Sequence, residues 1–218
     1  MMRNHTRPSV VTPRVKRFRF WSSAVVALVV GLLPLRSRAT SVVPPDFDSL
    51  VSQADYVVRG VVKSATSEWR TDSGGRHIIT KVTIQVTEVI KGLPPSPLVL
   101  QMLGGTIGQT RMVVEGAPAF LVGDDDILFI RGNGRQFIPL VAIMYGQFLV
   151  QRDPSTGQDL VHRSNGSALY DVKDVVQPMT PATAMASSGP RPLTMTEFSI
   201  QVRQSLARHA NSTPTNAN

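Results

Sequence analysis

The chain has no cysteine among its 218 residues. That absence excludes thiol nucleophiles, thiolate metal sites and disulfide staples. A folded domain must therefore rest on its core alone. Histidine is scarce, with four in all. Beyond the amino-terminal segment these are His77, His162 and His209. None has a second histidine at ligand spacing and no H-E-x-x-H occurs, so zinc has no signature. There is no G-x-S-x-G nucleophile elbow. The run Gly104-Gly105-Thr106-Ile107-Gly108 lacks the lysine of a phosphate loop and reads as a bulge or sharp bend. Without a convergent acid–base set, the chain reads as non-catalytic, with no cofactor and no metal. A hydrolase with an unrecognised site is the alternative from another class.

Acidic residues are missing from the first 39 positions, which carry Arg3, Arg7, Arg14, Lys16, Arg17, Arg19, Arg36 and Arg38. The whole chain has 23 basic and 15 acidic residues, so removing those eight leaves 15 of each. The basic balance thus belongs to the amino terminus. An apolar run, Phe20 to Leu35, follows the basic stretch, and Ser37-Arg38-Ala39 supplies small residues after it. This is the order of a secretory signal. It predicts a signal peptide over 1–39, cleaved between Ala39 and Thr40, and an exported (periplasmic or secreted) protein. The run of 16 residues falls short of the roughly 20 that span a bilayer. An uncleaved anchor is the alternative, and membrane contact is expected only in that case. No adjacent arginine pair marks a twin-arginine route.

After the short lead-in Ser41 to Pro45, Asp46 can cap a brief helix with Phe47, Leu50, Val51 and Ala54 on one face. Strand signals then dominate to Arg163. Tyr56 to Lys63 is valine-rich. In Ile78 to Ile90, Val82, Ile84 and Val86 alternate with polar residues, the pattern of a strand with one buried face. Gly74-Gly75 marks the turn of a long hairpin whose tip projects. Lys91 to Pro97 is a proline-rich stop, and Leu98 to Leu103 is a third strand. Met112 to Glu115 adds a short strand. Ile127-Leu128-Phe129-Ile130 reads as a strand covered on both faces. Asn133-Gly134 is the preferred pair for a tight hairpin turn, with Phe137 to Tyr145 returning as a strand and Phe148 to Gln151 continuing it. Asp153 to Gly157 turns into a last strand, Leu160 to Arg163. Regular short strands with turn chemistry between them suggest a sandwich or barrel. Gln177 to Pro192 has linker composition. Thr194 and Glu197 then form a capping box, with Leu193 and Phe198 placed as a hydrophobic staple. Phe198, Val202 and Leu206 line one face of the helix they start. That stripe is expected to dock on its own domain or, alternatively, on a partner.

Two stretches carry a resemblance. Ala54-Asp55-Tyr56-Val57-Val58-Arg59-Gly60-Val61-Val62 opens the long hairpin, and Val86-Thr87-Glu88-Val89-Ile90-Lys91-Gly92 closes it. Val122-Gly123-Asp124-Asp125-Asp126-Ile127-Leu128-Phe129 follows later. This order, from Ala54 to about Val150, resembles the netrin-like modules, which include the amino-terminal domain of the tissue inhibitors of metalloproteinases. It is also similar to small exported bacterial domains with the same opening. The resemblance implies a five-stranded OB-like barrel and, as an alternative function, protease inhibition. Those inhibitors chelate zinc through an amino-terminal cysteine, and this chain has none. Fold does not carry function with it.

The fold expected is therefore mainly β: a five-stranded OB-like barrel with an extra hairpin, a short amino-terminal helix and one carboxy-terminal helix. The barrel domain is expected over 40–172, a linker over 173–193, the helix over 194–210 and a disordered tail over 211–218. OB barrels often bind single-stranded nucleic acid through aromatics and a basic groove. A charge-balanced exported domain with 6% aromatics argues against that partner. Asp124-Asp125-Asp126 lacks the alternation and closing glutamate of a calcium loop and reads as a solvated turn. What remains is a binding module whose partner is an envelope or extracellular protein. Trp69 in the projecting hairpin is the candidate anchor, because tryptophan is enriched at binding hot spots. Arg70, Arg76 and Arg111 are its candidate flanks.

Overall fold

The computed structural model describes residues 43–179 and 191–212. The expected leader, its Ala39–Thr40 cleavage point and residues 213–218 of the expected tail lie outside the described residues. Asp46 caps helix α1 (Phe47–Gln53), its side chain accepting from the Ser49 amide at 2.6 Å. Phe47, Leu50 and Val51 face inward as their spacing requires.

Among the described residues eight strands follow: β1 (Tyr56–Asp72), β2 (Gly75–Lys91), β3 (Leu98–Leu103), β4 (Gly105–Ile107), β5 (Thr110–Met112), β6 (Asp125–Ile130), β7 (Gln147–Arg152) and β8 (Asp159–Arg163). Six form one antiparallel sheet in the order β3-β2-β1-β6-β7-β8, and β4 pairs with β5 apart from it. The expected five-strand closure is corrected on this point. The ladder has six strands in an open order, and among the described residues its terminal strands do not pair with each other.

The sheet bends where β1 slips register against β2, between Val57 and Val58, Arg59 and Gly60, and Val62 and Ser64. Such bulges increase local twist. Gly60 sits in this bend because a Cβ there would lie 2.5 Å from Ile84 Cγ2.

Both faces of the bent sheet are covered. On one, Val57, Ile127, Phe129, Phe148 and Val161 pack against α1 and the carboxy-terminal helix α2 (Met195–Ser212). On the other, Val58, Val62, Val82, Ile84, Leu100, Leu128 and Ile130 form a second cluster. Successive side chains of a strand point to opposite faces. The unbroken run Ile127 to Ile130 is therefore what a strand between two cores requires, and all four residues are buried.

Helix α2 begins as its capping box requires. Thr194 Oγ1 accepts from the Glu197 amide at 3.3 Å, and Glu197 accepts from the Thr194 amide at 2.9 Å. Phe198 is fully buried and meets the rings of Phe47, Phe129 and Phe148 with centroids 5.6, 6.2 and 5.1 Å away. Val202 and Leu206 belong to the same cluster. The stripe is spent on its own sheet, so it offers no face to a partner. The helix runs to Ser212, beyond the expected end at 210.

Four local expectations differ. Asn133-Gly134 does not turn a hairpin, and Phe137 to Tyr145 is not a strand. One bridge, Ile130 to Leu140, survives, followed by a 3-10 turn (Ile143–Gly146) entered through left-handed Ala142. Pro139 has no amide to donate to a ladder. Asn133 instead donates its side-chain amide to the Val99 carbonyl at 2.9 Å, and the Leu103 amide donates to Phe137 O at 2.7 Å. Met112 to Glu115 is likewise not the short strand. The glycine-rich run and Thr110–Met112 form the small β4–β5 hairpin. The segment expected as a linker from 173 carries a 3-10 turn (Val172–Val176), closed by Asp171 and Asp174. At its far end Leu193 bonds Val161 and Leu169 through its backbone at 2.8 Å each.

Candidate interaction surfaces

The four candidate partner-binding residues do not form one patch. Trp69 is 39% exposed on the hairpin arm, and the Arg76 guanidinium lies over its ring, 4.2 Å from the centroid. The ring quadrupole attracts a cation placed over its face in this way. Trp69 pairs with Ile78 and Thr71 with Arg76, so strand alternation sets Trp69 and Arg76 on one face. Arg70 falls on the other face, where it donates to Gln101 at 2.8 Å. It shares a small cleft there with Asp72, His77 and exposed Phe137. Arg111 sits on β5 opposite Thr106, whose amide donates to Ser67 at 3.3 Å. Ser67 is two residues from Trp69, so Arg111 is on the hairpin that overlies the arm. The structure brings Arg76 to Trp69 and sends Arg70 elsewhere.

Asp55, Lys91 and Gly92, from the stretches that open and close the long hairpin, meet α1 and the loop after β6. Lys91 donates from Nζ to the carbonyls of Val51, Ser52 and Ala54 at 2.8, 3.1 and 2.6 Å. These are the free carbonyls at the carboxy end of α1, where a cation is favoured. Burial nonetheless pulls the Lys91 ammonium below its ordinary value. Gly92 follows with φ +74°, and a Cβ there would lie 2.4 Å from Asp55 O. Asp55 in turn accepts from the Gly132 amide at 2.7 Å.

The acidic run Asp124-Asp125-Asp126 is not a solvated turn. Asp124 accepts from the Leu121 amide at 2.9 Å. Asp125 receives Arg59 at 2.6 Å. Asp126 is fully buried, and burial pushes its carboxyl up to about 7. Strand β6 begins at Asp125, so alternation sends the Asp125 and Asp126 carboxylates to opposite faces. Among the described residues no group of histidines and carboxylates could hold a metal ion.

Arg59 also reaches Asp159 at 2.8 Å, and Arg203 pairs with Glu88 at 3.0 Å. These four line a cleft of about 480 Å³ beneath the first turns of α2. Their charges are satisfied within its walls.

A larger groove, about 750 Å³, runs beside β2 between Val86, Val89, Leu93 and Pro94 to Pro97. Leu93 is 96% and Val89 43% exposed. Sequence reasoning missed it. The signal available was three prolines in four residues, directly after a strand whose alternation fails at Val89-Ile90.

No family model and no curated protein matches the chain. Among the described residues no helix is long and apolar enough to cross a membrane.

Proposed function

We propose that the chain is an exported, non-catalytic binding module that engages a protein partner through the β1–β2 arm. The observation that carries this reading is Trp69, exposed on the arm and held beneath Arg76 at 4.2 Å. An exposed aromatic pre-positioned by a cation loses little freedom on docking, which favours affinity. Beside Trp69 on the arm, Lys81 of β2 meets Glu68 of β1 at 2.8 Å.

The same reading takes the sheet as an opened barrel of OB type, related to the netrin-like modules. What supports it is the near-closure around the second core. Phe137 bonds β3 through Leu103, and Leu140 bridges β6 through Ile130.

The test is a photo-crosslinking residue at Thr71, exposed and two positions from Trp69 on the same strand face, with exposed Lys173 as the control position. A discrete protein adduct is expected at position 71, absent at 173 and lost when Trp69→Ala is added. Equal adducts at both positions, or none at 71, would remove the reading.

A further inference from the structure

We propose that the groove beside β2 is a strand-addition site for an extended apolar segment of a partner protein carrying an acidic side chain. This surface is separate from the Trp69 arm and goes beyond the reading above.

The first ground is an unpaired strand edge. Strand β3 pairs with β2 only from Ile79 to Ile84, whereas β2 continues to Lys91. Among the described residues no backbone partner lies along Gln85 to Ile90 on the side away from β1. Unpaired amides and carbonyls of this kind are a template for another strand. The sheet's two terminal strands are treated differently. Val161 of β8 donates to Leu193 at 2.8 Å, and Leu160 bridges Thr194. On β3, Leu103 bonds Phe137 at 2.7 Å and Val99 accepts from Asn133 at 2.9 Å. The chain covers those edges with its own segments and leaves this stretch of β2 open.

The second ground is the groove's shape and lining. After Lys91 the chain arches away through Gly92 and the prolines before returning at Leu98, and the groove lies between arch and strand. Its walls are mostly apolar. Gln85 to Val89 spans about 16 Å at strand rise, the length of a five-residue segment. Alternate side chains of that segment would meet Val86, Val89 and exposed Leu93.

The third ground is charge. Lys63 is the one charged residue lining the groove, and no carboxylate lines it. Among the described residues Lys63 has no ion-pair partner. It sits at the β1 bulge opposite Thr83 and Ile84, at the end of the groove where β3 pairing stops. An incoming acidic side chain at that end meets an uncommitted cation, which selects partners more than it adds affinity.

The probe is a dye-labelled octapeptide of alternating valine and threonine with aspartate at both ends, added to the purified full chain and followed by fluorescence anisotropy. Binding is expected, with protection of the Gln85 to Val89 amides from hydrogen exchange. A proline at the peptide's centre should weaken it at least about tenfold, since proline cannot complete the ladder. Leu93→Asp should weaken it by about tenfold, from the lost apolar contact. Lys63→Glu should weaken it about threefold, and should improve binding of the same peptide carrying terminal lysines. Both positions are exposed, so unchanged melting curves verify the variants. Trp69→Ala should leave all of this untouched, which separates failure here from failure of the arm. Absence of binding at millimolar peptide, equal binding of the proline peptide, or no charge exchange at Lys63→Glu overturns the proposal. So does self-association that protects the same amides without peptide, which would make a second copy the occupant.

Discussion

Gln147 donates its side-chain amide to the Asp126 carboxylate at 3.1 Å, in a sheet interior where both side chains are almost wholly buried. The same amide nitrogen donates to Ala119 O at 2.9 Å, tying the preceding loop to β7. The other Asp126 oxygen, Oδ1, has no partner among the described residues. An ionised carboxylate with one hydrogen bond is costly at such a depth. Asp124 and Asp125 beside it add to that cost.

Asp126→Asn should flatten the pH dependence of stability. The folded carboxyl is raised from 3.8 to about 7, chiefly by burial. A raised acid binds its proton more tightly when folded, so stability is complete below about 4 and is lost as pH rises through about 7. The shift corresponds to roughly 4 kcal/mol across that window. Urea unfolding at pH 4.5 and pH 8 should show the native chain losing stability relative to the variant. A constant difference between the two proteins would contradict the assignment.

Lys91→Met should destabilise the chain by about 1–3 kcal/mol, because three carbonyls at the end of α1 lose their donor. Lys91→Arg should recover little of this, since a planar fork cannot replace a compact ammonium among three converging oxygens. The urea midpoint measures both.

Phe198→Ala should cost about 3–5 kcal/mol. It removes the ring that joins α1, β6 and β7. Hydrogen exchange should show α2 losing protection first, ahead of β6.

Protein recovered from the producing cell's envelope or medium should begin at Thr40. Intact mass spectrometry checks it. Such a chain carries Trp69 as its sole tryptophan, since the other is Trp21. Its fluorescence should then report the arm alone, and Arg76→Ala should shift the emission while moving the melting temperature little. A mass retaining residues before Thr40 would favour the anchored form.

Local elements were legible where one signal decided them. Asp46 and Thr194 are caps because their oxygens sit within reach of free helix amides. Strand β3 matches its expected bounds because proline and glycine delimit it on both sides. The helix stripe Phe198, Val202, Leu206 was equally legible, but its destination was not. Whether it meets its own sheet or another molecule depends on Phe148, Phe129 and Phe47, fifty or more positions away.

The site was less legible. Trp69 and Arg76 are seven residues apart, and only the two-residue turn at Ser73-Gly74 brings them together. Arg70, adjacent in sequence to Trp69, goes to the opposite face by the same alternation. The edge at Gln85 to Ile90 is set by where β3 begins to pair, which the prolines hint at and register decides.

By itself the sequence determined the charge-balanced remainder behind a basic amino-terminal segment, the absence of thiol chemistry, the helix caps, and a mainly β chain. These rest on composition and on contacts within a few residues. Tertiary structure decided that the ladder stays open, that one of three adjacent aspartates is buried, and that the stretch of β2 beyond β3 stays bare. Those outcomes depend on register and curvature, which arise from bulges and long-range packing rather than from any residue's own preference.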